Sequence, residues 1–192
     1  MIKPRQLIGI SGAAGSGKDT VGDYLVKEYG YTKLAYADAL KDLVRFFFNI
    51  PKTELTSGQK SEEVRRLLQG TGELAKYLKG RYYWNNELDK SMASATGPVV
   101  ITDVKFNHEI EHIRKNNGVI IRVSRQNIDL QTKDTGHISE TELSDGHPGF
   151  DFVIYNNGTL NELYLRIEEI MRDLICRGIP GETTYRADNC ML

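Results

Sequence analysis

The chemistry-bearing residues stand near the start of the chain, where Gly12-Ala13-Ala14-Gly15-Ser16-Gly17-Lys18 matches the spacing G-x-x-x-x-G-K. Glycines without Cβ atoms let successive backbone N–H groups turn inward onto phosphate oxygens, and the start of a following helix adds a partial positive charge. Lys18 in this pattern reaches the β- and γ-phosphates of a nucleoside triphosphate and follows the charge that builds as the terminal group leaves. The next position is Asp19, where the usual motif has a Ser or Thr hydroxyl for Mg²⁺, and Thr20 follows. Asp19 can bind the ion directly or through a retained water, or it can serve only to stabilise the helix start. Gly12, Ala14, Gly15, Ser16, Gly17, Lys18, Asp19 and Thr20 are thus the candidate phosphate-binding residues, with ATP and Mg²⁺ as the implied cofactors.

The motif needs a strand before it and a helix after it. Gln6 to Ser11 reads as the strand, and Lys18 to Tyr29, with Val21, Leu25 and Val26 on one face, as the helix. A short strand at Thr32 to Tyr36, a helix from about Ala39 to Phe48 and a helical insertion follow. In the insertion Val64, Leu67, Leu68, Thr71, Leu74, Ala75 and Leu78 form a stripe that Gly70 and Gly72 can split, and a further helix covers about Tyr82 to Ala93. Pro98 to Thr102 reads as a buried strand ending at Asp103, then a helix with Phe106, Ile110 and Ile113 that Gly118 caps, then a strand from Val119 to Val123. Residues 124–149 are polar and without period, as a functional lid would be. A strand at Phe152 to Tyr155 and a helix capped by Thr159, with Leu160, Leu163, Tyr164, Ile167, Ile170, Met171 and Leu174 on its buried stripe, complete the pattern. This alternation predicts an α/β domain: a three-layer P-loop fold with a central parallel sheet over residues 1–178, an insertion at about 38–95, a lid at about 124–149 and a polar tail at 179–192.

The 192 residues suit one domain, and a net charge of -1 with no basic block argues against nucleic acid or an anionic membrane as partner. The two cysteines, Cys176 and Cys190, lie in no pattern that defines a metal site or disulfide framework, which fits a reducing cytoplasm. No secretory or membrane-spanning segment is expected from the short apolar run after Gln6.

Gly-Ser-Gly-Lys18-Asp19-Thr20, Arg65-Arg66-Leu67-Leu68-Gln69 with Gly72, and Arg81-Tyr82-Tyr83-Trp84 together resemble the deoxynucleoside monophosphate kinases of bacteriophages, within the adenylate-kinase-like group. Asp103 to Glu109, Asp134-Thr135 with His137 to Glu140, and Asn156 to Leu160 continue the resemblance in order from about residue 7 to 175. It implies that Asp after the loop lysine is ordinary, that the insertion binds a nucleoside monophosphate and that the lid is mobile. It places Lys41, Arg65, Arg66, Gly72 and Trp84 on the acceptor side, with Asp103, Lys105 and Glu109 of the third block, and His137 and Glu140 in the lid. Lys105 stands where the family has arginine. Arg125 resembles the arginine that covers the adenine of ATP, and Asn157, Gly158, Thr159 and Leu160 the loop at the adenine edge.

The residue chemistry agrees with these placements but leaves alternatives open. Two guanidinium groups can hold a dianionic phosphate, or they can be a solvated helix face. Trp84 can stack a base or belong to the core. Asp103, at the carboxyl end of its strand, can orient Mg²⁺ or contact the acceptor, or cap a helix. His137 can be catalytic or solvated. The expected reaction is transfer from ATP to a deoxynucleoside monophosphate, with Lys18, Arg65, Arg66 and Asp103 as catalytic residues and Asp19 and Asp103 at the metal. Phosphomevalonate kinase is a rival on the same fold, and a nucleotide-dependent switch a rival of another class. No N-K-x-D guanine motif supports the latter. Small-molecule nucleotides are the expected partners, and a homodimer is left open.

Overall fold

The computed structural model describes residues 7–56, 60–126, 143 and 146–176. The chain divides into two compact units, one formed by residues 1–33 and 97–192 and the other by residues 34–96.

The first unit is built on a five-stranded sheet. Its strands are β1 (Leu7–Ser11), β2 (Thr32–Leu34), β3 (Val99–Val104), β4 (Val119–Ser124) and β5 (Phe152–Tyr155), in the order β2-β3-β1-β4-β5. β1 pairs in parallel with both β3 and β4, and β4 in parallel with β5. Every residue of β1 and β4 is buried, as expected of near-continuous apolar runs covered on both faces. Ile8 and Ile10 point into a core with Val21 and Leu25 of α1 (Lys18–Tyr29) and Leu163, Ile167, Ile170 and Met171 of α7 (Leu160–Cys176). Gly9, on the opposite face, meets Ile113 of α6 (Asn107–Lys115). α1 and α7 therefore cover one face of the sheet and α6 the other, giving the three layers expected.

The second unit is helical: α2 (Ala37–Phe48), α3 (Lys52–Thr56), α4 (Glu62–Lys79) and α5 (Tyr83–Ala93). Val44, Leu55 and Val64 form its core with Leu40, Leu43, Ile50, Leu67 and Leu68 packed on them. α4 runs unbroken through Gly70 and Gly72, because its packed face and its cap outweigh two glycines. The cap is Ser61, whose hydroxyl accepts from Val64 N at 3.3 Å.

Local differences from expectation have local causes. β2 stops at Leu34 because Ala35 N–H donates to the Asp38 carboxylate at 2.9 Å, turning the chain into α2 two residues early. The left-handed residue after α6 is Asn117, with φ 55°, and not Gly118. Leu74 and Leu78 are exposed, since α4 buries the side carrying Val64 and Gly72. The tail and most of the lid segment, with His137 and Glu140, lie outside the described residues.

Candidate functional site

The glycine-rich loop leaves β1 at its carboxyl end and enters α1 through Gly17, whose φ of 102° only glycine adopts at low cost. The N-cap of α1 is Gly17, which has no side chain to accept from the first-turn N–H groups, as suits a helix N-terminus that binds an anion. Gly12 leaves no room for a side chain: an added Cβ would lie 2.5 Å from Ser16 Oγ and 2.7 Å from the Val123 carbonyl. Behind the loop the Ser16 hydroxyl is wholly buried and, among the described residues, has no hydrogen-bond partner. From the end of β5, Asn156 donates its amide to the Ser16 carbonyl at 2.8 Å and so clamps the loop.

A cleft of about 370 Å³ opens here, lined by Gly15, Gly17, Asp19, Thr20, Arg125, Asn156, Gly158, Leu160 and Leu163. Three separated segments predicted to bind ATP thus meet in one place. Asn157 uses its side-chain carbonyl to accept from Gln126 N at 3.1 Å, joining two of them. Thr159 and Glu162 cap α7 reciprocally: Thr159 N–H donates to the Glu162 carboxylate at 2.6 Å and Thr159 Oγ1 accepts from Glu162 N at 3.3 Å. The backbone donation holds the Glu162 carboxyl below its ordinary pKa.

Lys18 is only 14% exposed, and its Nζ lies 3.6 Å from one oxygen of Asp19. The other Asp19 oxygen lies 3.4 Å from Nζ of Lys33, which also bonds Asp23 at 2.9 Å. Burial pulls the Lys33 pKa down, but its bond to Asp23 and the charges of Asp19 and Asp23 carry it above the ordinary value. The sequence offers no signal for Lys33, a lone lysine in a three-residue strand. Asp19 lines the cleft with its carboxylate 65% exposed, a hard oxygen donor beside a phosphate-binding loop. That fits Mg²⁺, which commonly takes one or two protein carboxylates and completes its shell with phosphates and water. Among the described residues no group of three or more His, Cys, Asp or Glu side chains could hold a metal without substrate.

β1 and β3 shift register between Gly9 and Ser11, which pair with Ile101 and Val104. The extra residue lies in the Thr102–Asp103 stretch of β3, and such bulges re-aim side chains beside functional sites. Asp103 stands there partly buried, with Lys105 partly buried beyond it. Glu109, expected at the acceptor, is 5% exposed, and its Oε2 accepts from Lys105 N at 2.7 Å and Phe106 N at 3.0 Å. Its carboxyl is therefore turned to the backbone that carries Lys105. Burial, then the charge of Asp103, pushes its pKa up to about 8 against those two N–H donors. Arg122 escaped the sequence reading, although a charge inside the apolar run of β4 is a visible signal. It is buried, donates to Ser11 Oγ at 3.3 Å and lies over the Phe150 ring.

In the helical unit, Lys41 lies 3.4 Å from Asp38. Arg65 and Arg66 are both exposed on α4; Arg65 Nε donates to the Lys60 carbonyl at 3.3 Å and Arg66 Nε pairs with Glu62 at 3.0 Å. Exposed single-turn pairs of this kind are weak and exchange readily for a better anion. Trp84 is placed differently from a stacking platform. It is 9% exposed, meets Tyr83 edge-on and donates its indole N–H to the Gly72 carbonyl at 3.2 Å, so Trp84 and Gly72 are a packing pair inside this unit.

A family model described as deoxynucleotide monophosphate kinase matches residues 46–167. A protein of Acanthamoeba polyphaga mimivirus assigned as a deoxynucleotide monophosphate kinase is 31% identical over 184 residues, spanning 84% of this chain and 93% of that one. The deoxynucleotide monophosphate kinase of Escherichia phage RB69 is 34% identical over 116 residues, which cover 57% of this chain and 45% of the phage protein. Among solved structures, TT1252 from Thermus thermophilus superposes with a TM-score of 0.52 at 17% identity, over 90% of this chain and 99% of that one, a likeness of fold.

Proposed function

The chain belongs to the deoxynucleotide monophosphate kinase family, and from that premise we propose that it transfers the terminal phosphoryl group of ATP to a deoxynucleoside monophosphate, giving ADP and the diphosphate. The observation that carries this reading is the convergence of the glycine-rich loop, Arg125 and the Asn156–Leu160 segment on one cleft. Loop amides and Lys18 hold the donor phosphates, Arg125 and Leu160 flank the adenine, and Asn156 fixes the loop they depend on.

Asp19, with Asp103 as the second carboxylate, would hold Mg²⁺, which would supply charge neutralisation on the phosphates. Everything else is done by the chain. Lys41, Arg65 and Arg66 bind the acceptor phosphate, and Trp84 serves them indirectly by tying α5 to α4 at Gly72. Glu109 holds the Lys105 and Phe106 amides, and so the approach to α6. No general base is needed, because a monophosphate oxygen is already ionised at neutral pH; positioning and positive charge suffice. A place in the host cytoplasm follows if the chain is phage-encoded, as the relative from Escherichia phage RB69 is.

The test is ADP release from ATP and Mg²⁺ with each deoxynucleoside and ribonucleoside monophosphate, and with phosphomevalonate. Turnover with one or more deoxynucleotides is expected. Turnover with phosphomevalonate alone, or no release above the ATP background, would overturn the reading.

A further inference from the structure

Asp19 and Asp23 stand one turn apart on α1, and the residue that joins them comes from another element. Lys33 extends from β2 along Gly22, where an added Cβ would lie 3.6 Å from Lys33 Cε and 3.8 Å from Cδ. The lysine stem therefore runs in van der Waals contact with α1 at Gly22, whose tight neighbour is the Thr102 methyl, 2.5 Å from an added Cβ. Its Nζ ends 2.9 Å from Asp23 and 3.4 Å from Asp19, with Lys18 3.6 Å from the other Asp19 oxygen. Two ammonium groups and two carboxylates therefore balance locally, and each oxygen of the candidate metal carboxylate has its own cation.

We propose that Lys33 is a positioning residue that, together with Lys18, keeps Asp19 neutralised until a triphosphate arrives, so that the divalent cation enters with ATP and does not bind Asp19 alone. The physical reason is the change in local charge. A free dication approaching Asp19 meets two lysines and gains little. Once the β- and γ-phosphates draw Lys18 and add negative charge of their own, the balance at Asp19 favours the dication. Without Lys33, two carboxylates one helical turn apart face a single lysine, and the site attracts a dication by itself. This rests on the donor-site reading given above.

The experiment titrates Mn²⁺ into the nucleotide-free protein and follows the free ion by its paramagnetic resonance signal. Lys33→Met should bind Mn²⁺ about 5- to 15-fold more tightly than the parent, the scale of removing one unit charge some 5 Å from a dication in water with and without salt screening. Lys33→Arg should behave as the parent, and adding Asp19→Asn to Lys33→Met should abolish the gain. Lys33→Gln serves as a second variant should the Met protein melt early. Equal or weaker Mn²⁺ binding without Lys33, or a gain that survives the loss of Asp19, would overturn the proposal. A fluorescent ATP analogue that fails to bind the parent protein would instead overturn the donor-site reading, so the two failures are told apart.

Discussion

Lys18 and Glu109 show two ways in which an ionisable side chain is held largely away from water. Lys18 has Asp19 beside it and a phosphate-binding loop in front. Replacing it with Met should lower kcat by about 10²- to 10³-fold, the scale of losing one preorganised charge at a developing oxyanion, with little change in melting temperature. Glu109 is protonated more readily in the fold than in the unfolded chain, its pKa moving from 4.5 to about 8. The sign follows: a carboxyl with a raised native pKa contributes stability that is fully present below about pH 4.5 and is lost as pH rises through about 8. Glu109→Gln should therefore melt with a flatter pH dependence than the parent across that window, measured by circular dichroism at closely spaced pH values. Neither the burial of Glu109 nor its backbone partners were legible in the sequence, which shows an acidic residue near a strand end and nothing of what covers it.

At the scale of elements, the caps decide where the site's supports begin. Ser61 starts the helix that carries Arg65 and Arg66, and Thr159 with Glu162 starts the helix that closes the cleft. Ser61→Ala should cost about 1 kcal/mol in urea unfolding. If α4 serves the acceptor, the same variant should raise KM for the deoxynucleotide more than KM for ATP; equal changes in both would speak against that assignment. The Thr159 cap was legible as a polar residue before an apolar run, whereas the Ser61 cap was not read from the sequence and emerges only from its bond to Val64 N. The continuity of α4 was less so, because glycine propensity argues for a break while packing against α2 argues against one. The sequence stripe through Leu74 and Leu78 was also misleading: periodicity finds an apolar face but not how far along the helix a partner covers it.

For the whole molecule, the single tryptophan is a reporter of one unit. Trp84 is buried in the helical unit and is the chain's only Trp. Its emission should be blue-shifted in the native protein, and saturating deoxynucleotide should change its acrylamide quenching little; strong protection by the nucleotide would restore a stacking role. The glycine-rich loop, the strand before it and the helix after it were legible in the sequence alone, because a handful of consecutive residues carries that signal through backbone geometry. It took the packed fold to show that Trp84 is buried, that Asn156 reaches Ser16 across 140 positions and that Lys33 reaches Asp19 and Asp23. Each of these is a contact between segments that chain order does not make neighbours. They are settled by how strands order in the sheet and helices pack upon it, and so no local pattern could announce them.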